Sequence, residues 1–148
     1  MSLRQDAAKQ CFKEGFNCAQ AVFSAFAGDY GIGAKDALRI ARGFGGGMAR
    51  TGEVCGAVTG AFMVMGCAQN SVVEAEAKEA SYAQIREFTR RFKELHGSTL
   101  CRELLGCNLD TEEGKKLYRE SNLGASVCLP CICDATALVE EIVLVKKA

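Results

Sequence analysis

Helical periodicity recurs along this chain, with a clear stop signal after each stretch, and this pattern most constrains its fold. Gly15 ends the first apolar-periodic stretch, and Asn17 then offers a side-chain cap for the next helix. The alternating pattern typical of strands is almost absent. We therefore predict an all-α fold, a compact bundle of about six to eight helices in one domain that spans residues 1–148.

Glycine, proline and capping residues mark the boundaries of the predicted helices. The longer helices are expected at residues 2–14, 18–27, 34–42, 53–69, 72–96 and 110–120, with a short one that ends at Gly106. The segment 121–133 is predicted to be a loop. It ends where Asp134 caps a final helix that continues through Val145.

Length and charge limit the classes of function. The 148 residues include 18 basic and 18 acidic side chains, so the formal net charge is zero. No overall field attracts nucleic acid or an anionic membrane, and neither is an expected partner. Arg4, Gln5, Asp6 and Lys9 interrupt any apolar stretch near the first residue, so we expect no signal peptide and a cytoplasmic protein.

The glycine-rich segment 43–52 is predicted to be a tight turn that carries Cys55 into a site. It follows a helix and lacks a Gly-Lys-Ser/Thr sequence, so we expect no bound nucleotide. The next helix, 53–69, is apolar nearly all round and is expected to be buried. It is shorter than the roughly 20 residues that a bilayer span requires, so no membrane span is expected.

Cysteines occur at several predicted helix starts. The chain has nine, an odd number that cannot close into intramolecular disulfides alone, and in a reducing compartment this enrichment indicates metal binding or redox chemistry. Cys18, Cys55 and Cys101 lie near first helical turns, and Cys131 or Cys133 directly precedes the last helix. Helix N-termini favour the thiolate form. Converging helix starts of this kind would form a four-sulfur site.

The three C-terminal cysteines offer a different chemistry. Cys128, Cys131 and Cys133 are close enough in sequence for two of them to close into a disulfide and reopen by thiolate exchange. In that interpretation Cys101 or Cys107 would be the resolving thiol. The alternative function is therefore a thiol–disulfide oxidoreductase or redox sensor.

Metal and haem alternatives depend on the same segment. Cys128 and Cys131 have the spacing of half a zinc site, but a second close pair is missing, so structural zinc is an alternative without a complete motif. Ile132 stands where a c-type haem signature requires histidine. We expect no haem.

The remaining cysteines and the single histidine have simpler interpretations. Cys11 lies in the middle of a predicted helix and Cys67 follows an apolar run, so both are expected in the core. Cys107 is unassigned. His96 ends the longest predicted helix, where an imidazolium interacts favourably with the helix dipole, and we expect a structural role for it.

Short motifs around the cysteines follow one another along most of the chain. They are Asn17-Cys18-Ala19-Gln20-Ala21-Val22, Gly43-Phe44-Gly45-Gly46-Gly47, Val54-Cys55-Gly56-Ala57-Val58-Thr59-Gly60, Cys101-Arg102-Glu103-Leu104-Leu105-Gly106 and the late cysteines. In this order they resemble the redox-active protein family labelled C_GCAxxG_C_C. The resemblance implies a compact helical protein. It also implies four recurrent cysteines, which map onto Cys18, Cys55, Cys101 and one of the C-terminal group.

Similar modules occur in certain haem cytochromes with an iron–sulfur centre, so the resemblance implies a cluster. Two features depart from the family label. The central motif here reads Cys-Gly-Ala-x-x-Gly, in a different order, and Cys128, Cys131 and Cys133 compete as the fourth cysteine.

The leading hypothesis is a cytoplasmic electron-transfer protein that binds an iron–sulfur cluster through Cys18, Cys55, Cys101 and Cys131. A redox partner protein is expected, and a homodimer is left open. The chain would be a carrier or a component of an oxidoreductase. A third alternative is a structural or interaction module that zinc or buried thiols stabilise.

Overall fold

Helices dominate the described part of the chain. The structure, a computed structural model, describes residues 1–144 and confirms the predicted all-α class over that range. We number the regular helices α1 (Leu3–Lys13), α2 (Cys18–Ala27), α3 (Ala34–Ala41), α4 (Gly56–Cys67), α5 (Glu74–His96), α6 (Cys101–Leu105), α7 (Glu112–Glu120) and α8 (Leu129–Val139). Val145, the last residue of the predicted final helix, lies outside the described residues.

The junction between α1 and α2 follows the prediction closely. Gly15 takes a φ of 104° and ends the first helix. The Asn17 side chain accepts a hydrogen bond from the Gln20 amide, and the Gln20 side chain accepts one from the Asn17 amide, each at 2.9 Å. The Asn17 Nδ2 also donates to the Arg42 carbonyl at 2.8 Å. These bonds fix the start of α2, and with it Cys18, against the segment that follows α3.

Replacing Asn17 by alanine removes the capping box and the bond to Arg42. We expect the free energy of unfolding to fall by about 1–2 kcal/mol, the usual cost of a lost N-cap. Urea denaturation followed by circular dichroism measures the change. Asn70→Ala is the matched control, because Asn70 is exposed and its side chain makes no hydrogen bond within residues 1–144. An equal decrease in unfolding free energy for the two variants would contradict the proposed role of the cap.

The core is built around α2, which packs against α1, α3, α4 and α8. A Cβ added at Gly56 would lie 2.9 Å from the Ala19 amide nitrogen and 3.1 Å from the Cβ of Cys18, and one at Gly60 would lie 2.9 Å from the Ala19 carbonyl oxygen. Glycine at these positions lets the two helix backbones approach closely. The start of α4 therefore lies directly beside the start of α2. The largest fully buried side chains include Phe23, Phe26, Phe88, Phe92, Met65 and Ile132.

The predicted tight turn is present between α3 and α4. Gly45–Met48 forms a single hydrogen-bonded turn, but Gly46 and Gly47 have φ values of 66° and 68°, so it is not a regular helix. Met48, Ala49 and Arg50 continue in the same left-handed region. That conformation costs about 1–2 kcal/mol per residue for an L-amino acid and is nearly free for glycine. The segment therefore forms a tight turn before α4.

Backbone hydrogen bonds join this turn to the start of α6. The Cys55 amide donates to the Thr99 carbonyl at 2.8 Å, and the Cys101 amide donates to the Glu53 carbonyl at 2.7 Å. A Cβ at Gly47 would lie 2.6 Å from both the Cβ of Cys101 and the carbonyl oxygen of Glu53. The turn therefore holds Cys55 and Cys101 next to each other.

The prediction of a loop at residues 121–133 is wrong. Gly124–Cys128 forms a π-helical turn that leads directly into α8, and Asp134 lies inside that helix instead of capping it. Pro130 is accommodated because it occupies the first turn of α8, where its missing N–H is not needed. The start of α4 also differs, since Val54 pairs with Leu100 and the helix begins at Gly56.

Helix α5 is the longest and α4 the most apolar, but neither has both properties. α5 has 23 residues and an exposed charged face on which Arg90 pairs with Glu87 and Glu94. α4 is mostly buried but has only 12 residues. Among the residues that the structure describes, no helix is long and apolar enough to cross a membrane.

Candidate functional site

Thiols from distant parts of the sequence converge on one cleft of about 830 Å³. The cysteines that line it are Cys18, Cys55, Cys101, Cys128 and Cys131. The four residues predicted as ligands are thus brought to one place, together with Cys128 from the competing prediction. The cleft is therefore the candidate functional site.

Helix starts deliver Cys18, Cys55 and Cys101, as predicted, whereas Cys128 and Cys131 lie where the π-helical turn continues into α8. Cys18 and Cys101 are the first residues of α2 and α6, and Cys55 is the N-cap of α4. Cys128 directly precedes α8, and Cys131 lies in its first turn. Unpaired N–H groups at helix N-termini stabilise nearby negative charge. The cleft can therefore accommodate thiolates.

Cys18 and Cys128 line the same cleft, and each thiol shifts the pKa of the other. Interaction with the Cys18 thiol lowers the pKa of Cys128 to about 7. The same interaction raises the pKa of Cys18 well above its ordinary value, and burial raises it further. The Tyr118 hydroxyl, 3.7 Å from the Cys128 Sγ, also lowers the pKa of Cys128. Cys128 is thus partly thiolate at neutral pH, and Cys18 keeps the proton of the pair.

Cys55 and Cys131 form a second pair of the same kind. Interaction with the Cys131 thiol lowers the pKa of Cys55, and backbone amides of Ala57 and Val58 lower it further. Interaction with Cys55 raises the pKa of Cys131, as does burial. The cleft therefore contains two pairs of thiols in which one partner has a lowered pKa and the other a raised one. Cys101 stands apart from both in its chemistry, because burial raises its pKa to about 12.

Solvent access distinguishes the two pairs. Cys18, Cys55 and Cys101 are between 6% and 8% exposed and Cys131 is 1% exposed, whereas Cys128 is only half-buried. Cys128 therefore combines the best access with a pKa near neutrality. A thiol of this kind is the preferred nucleophile in disulfide exchange.

We expect the pH dependence of alkylation to identify Cys128. Its thiolate is present above about pH 7 and is lost as the pH falls through that value, so reaction with iodoacetamide should rise with a midpoint near pH 7. Peptide-resolved mass spectrometry measures the rate at each cysteine. The Tyr118→Phe variant should shift the midpoint upward, because it removes the hydroxyl that stabilises the thiolate. A midpoint near 9.0, the ordinary value for cysteine, would contradict this assignment.

His96 and Asp134 border the buried pair, and the sequence prediction missed their interaction. His96 Nε2 lies 2.9 Å from an Asp134 carboxylate oxygen, and His96 Nδ1 lies 3.8 Å from the Cys131 Sγ. The imidazole also packs against the Phe92 ring, with the ring centroids 4.6 Å apart. His96 thus joins the end of α5 to α8 and holds the wall of the cleft behind Cys131. No sequence signal linked the two residues, because Asp134 was expected to cap a helix.

The other cysteines lie outside the cleft. Cys133 is two residues beyond Cys131, about 200° further round the helix, and its Sγ accepts a hydrogen bond from the Gln5 side chain at 3.3 Å. The structure therefore separates Cys133 from the other two C-terminal cysteines. Cys11 and Cys67, predicted as core residues, are partly buried and pack against the edge of the core. Cys107 is partly buried beside a small cluster that contains Cys101.

The thiols of the cleft can be compared with the ligand sets that metal ions and clusters require. In residues 1–144 no set of three or more His, Cys, Asp or Glu side chains is arranged to hold a metal ion. An iron–sulfur cluster is larger, and its thiolates bind different iron atoms. The soft sulfur donors of the cleft fit the chemistry of a cluster.

Comparison with protein families gives a match over most of the chain. A family model described as "Putative redox-active protein (C_GCAxxG_C_C)" matches residues 16–142. This range includes every cysteine of the cleft. No curated protein and no solved structure matches the chain.

Proposed function

The chain belongs to the redox-active C_GCAxxG_C_C family, and from this premise we propose that it exchanges electrons with disulfides through Cys18 and Cys128. The observation that carries the proposal is that these two thiols line one cleft, the Cys128 thiol accessible and the Cys18 thiol buried, with Cys18 lowering the pKa of Cys128. Such a pair supplies both the attacking and the resolving sulfur of a dithiol reaction. We further propose that the protein works in the reducing cytoplasm, with a separate redox protein to restore its thiols.

In the proposed reaction the Cys128 thiolate attacks one sulfur of a disulfide R–S–S–R′. A mixed disulfide forms on Cys128, and R′–S⁻ leaves. Cys18 then gives up its proton and attacks the Cys128 sulfur, which closes a Cys18–Cys128 disulfide and releases R–S⁻. The proton from Cys18 and one from solvent neutralise the two released thiolates. Two electrons pass from the protein to the substrate in each cycle.

The surrounding residues support this order of events. Cys18 is 8% exposed, so it meets the substrate only after Cys128 has formed the mixed disulfide. Cys131 is the deepest of the cleft thiols and is paired with Cys55. The neighbouring pair is thereby kept from competing for the first attack. The result is one defined nucleophile among nine cysteines.

Release of thiol from a neutral disulfide tests the proposed function. The fully reduced protein, mixed with excess bis(2-hydroxyethyl) disulfide at pH 7, should release two small thiols per chain in a fast phase. Cys133→Ser is the control variant and should keep that phase, since Cys133 lies on the far side of α8. Loss of the fast phase in Cys133→Ser would favour a dithiol made from the C-terminal cysteines instead. Absence of any fast phase in the wild-type protein would reject the function.

A second candidate function is one-electron transfer through an iron–sulfur cluster. It is favoured by the position of Cys18, Cys55, Cys101 and Cys131, the proposed ligands, along the same cleft. A bound cluster would supply the one-electron chemistry, and the chain would supply the thiolates and the apolar surroundings that keep water out. Anaerobic purification and reconstitution, followed by iron and sulfide analysis, tests this candidate. A colourless protein without iron after both steps would exclude it.

A further inference from the structure

The side chains that line the cleft have an excess of positive charge, although the net charge of the whole chain is zero. The charged side chains that line it are Arg42, Arg50, Lys115 and Arg119, and no aspartate or glutamate is among the described residues of its wall. The full sequence, in contrast, balances 18 basic against 18 acidic residues. The imbalance is therefore local to the thiol cleft.

Three of these side chains have no internal counter-ion. Within the part of the chain that the structure describes, the guanidinium groups of Arg42, Arg50 and Arg119 form no ion pair. Lys115 lies 3.5 Å from Glu112, whose side chain is 91% exposed, so solvent screens that pair strongly. The cleft thus offers several unneutralised cations to a ligand.

The cations come from two separate segments of the chain. Lys115 and Arg119 are four residues apart on α7 and therefore project from the same face of that helix. Arg42 and Arg50 flank the glycine turn before α4. Positive charge from two segments that share one cleft focuses the field inside it and attracts anions.

The size of the cleft indicates a small ligand. About 830 Å³ is within the range of roughly 300–1,000 Å³ typical of small-molecule sites. Phe12 and Phe16 also line it and offer apolar contact beside the cations. Guanidinium groups bind carboxylates through two parallel hydrogen bonds, which favours ligands that carry carboxylates.

We propose that the cleft selects small disulfides that carry carboxylates, and that Arg42, Arg50 and Arg119 hold those carboxylates while Cys128 meets the disulfide. This inference rests on the proposed dithiol function and adds the substrate class to it. The arginines are binding residues here. They take no part in the transfer of electrons.

Three small disulfides of similar length but different charge test the inference: 3,3′-dithiodipropionate (anionic), bis(2-hydroxyethyl) disulfide (neutral) and cystamine (cationic). Each rate of thiol release at low ionic strength is divided by the rate of the same disulfide with dithiothreitol, which corrects for intrinsic reactivity. We expect the anionic substrate to react at least about tenfold faster than the neutral one, with the cationic one slowest. Added salt should reduce the difference.

Substitution of the arginines separates binding from reactivity. R42Q, R50Q and R119Q should each slow the anionic substrate by about threefold or more and leave the neutral substrate nearly unchanged. R86Q is the matched control, because Arg86 is exposed on α5 and outside the cleft. Equal corrected rates for the three disulfides would overturn the inference and leave the dithiol function standing. Failure of all three to react would reject both.

Discussion

Replacing Cys128 by serine is expected to abolish the fast reaction with disulfides, with a loss of at least about 10³-fold in rate, because serine cannot supply a thiolate nucleophile. The fold should survive, since the Cys128 side chain is only half-buried and the change removes little apolar contact. Circular dichroism and thermal unfolding check that the variant is folded. Stopped-flow measurement of thiol release gives the rate.

The Cys18→Ser variant distinguishes the proposed roles within the pair. Cys128 can still attack, but no neighbouring thiol resolves the product, so the mixed disulfide should accumulate and appear as an added mass on the intact protein. In a Cys18→Ala variant the Cys128 alkylation midpoint should rise, because the Cys18 thiol is the largest cause of its lowered pKa and alanine, unlike serine, has no hydrogen-bond donor. Continued rapid release of two thiols by Cys18→Ser would show that another cysteine resolves the intermediate.

Replacing Gly47 by alanine is expected to cost about 3 kcal/mol of unfolding free energy, because strain and a steric clash act together at this position. Gly47 has a φ of 68°, which alanine adopts only with strain, and its Cβ would lie 2.6 Å from the Cβ of Cys101 and from the Glu53 carbonyl oxygen. Backbone atoms cannot move aside as a flexible side chain can. The turn that holds Cys55 and Cys101 together would therefore be displaced.

Gly43→Ala is the matched control for this prediction. Gly43 is four residues earlier in the same segment, has no positive φ, and has nothing within 4 Å of an added Cβ. Its unfolding free energy should change by less than about 1 kcal/mol. Chemical denaturation of both variants gives the comparison, and a loss in Gly43→Ala as large as that in Gly47→Ala would contradict the steric explanation.

Much of the fold could be predicted because its helix boundaries have local causes. Gly15 ends a helix through its own backbone conformation, and Asn17 begins one through a capping bond to a residue three positions away. Both roles can therefore be predicted from the sequence. The same holds for Cys18, which follows the Asn17 cap, but not for Cys101, because its N-cap Leu100 makes no side-chain capping bond and the Cys101 amide bonds to the Glu53 carbonyl. Once several helix starts each bear a cysteine, their convergence on one cleft is a reasonable expectation.

The C-terminal segment shows where this approach fails. Proline favours the prediction of a loop at position 130. In the structure Pro130 lies in the first turn of α8, because the preceding π-helical turn leads directly into that helix. Helical geometry then places Cys128 and Cys131 on one face, three residues apart, and turns Cys133 away. In a loop, nothing would have distinguished the positions of Cys128, Cys131 and Cys133. The proposed pairing partners, Cys18 and Cys55, are more than 70 residues away, and tertiary packing brings them into the same cleft.

The contact between His96 and Asp134 was missed for a similar reason. The two residues are 38 positions apart and meet only because α5 and α8 pack side by side. The basic character of the cleft was also not visible in sequence. Arg42, Arg50 and Arg119 are scattered through a chain of zero net charge, and only the fold gathers them around the thiols.

Disulfide mapping during oxidation tests the central claim most directly. The reduced protein is equilibrated in buffers of increasing redox potential, the remaining thiols are blocked, and linked peptides are identified by mass spectrometry. We predict that the first disulfide to form joins Cys18 to Cys128. A first disulfide between Cys128 and Cys131, or one that includes Cys133, would contradict the proposed pair.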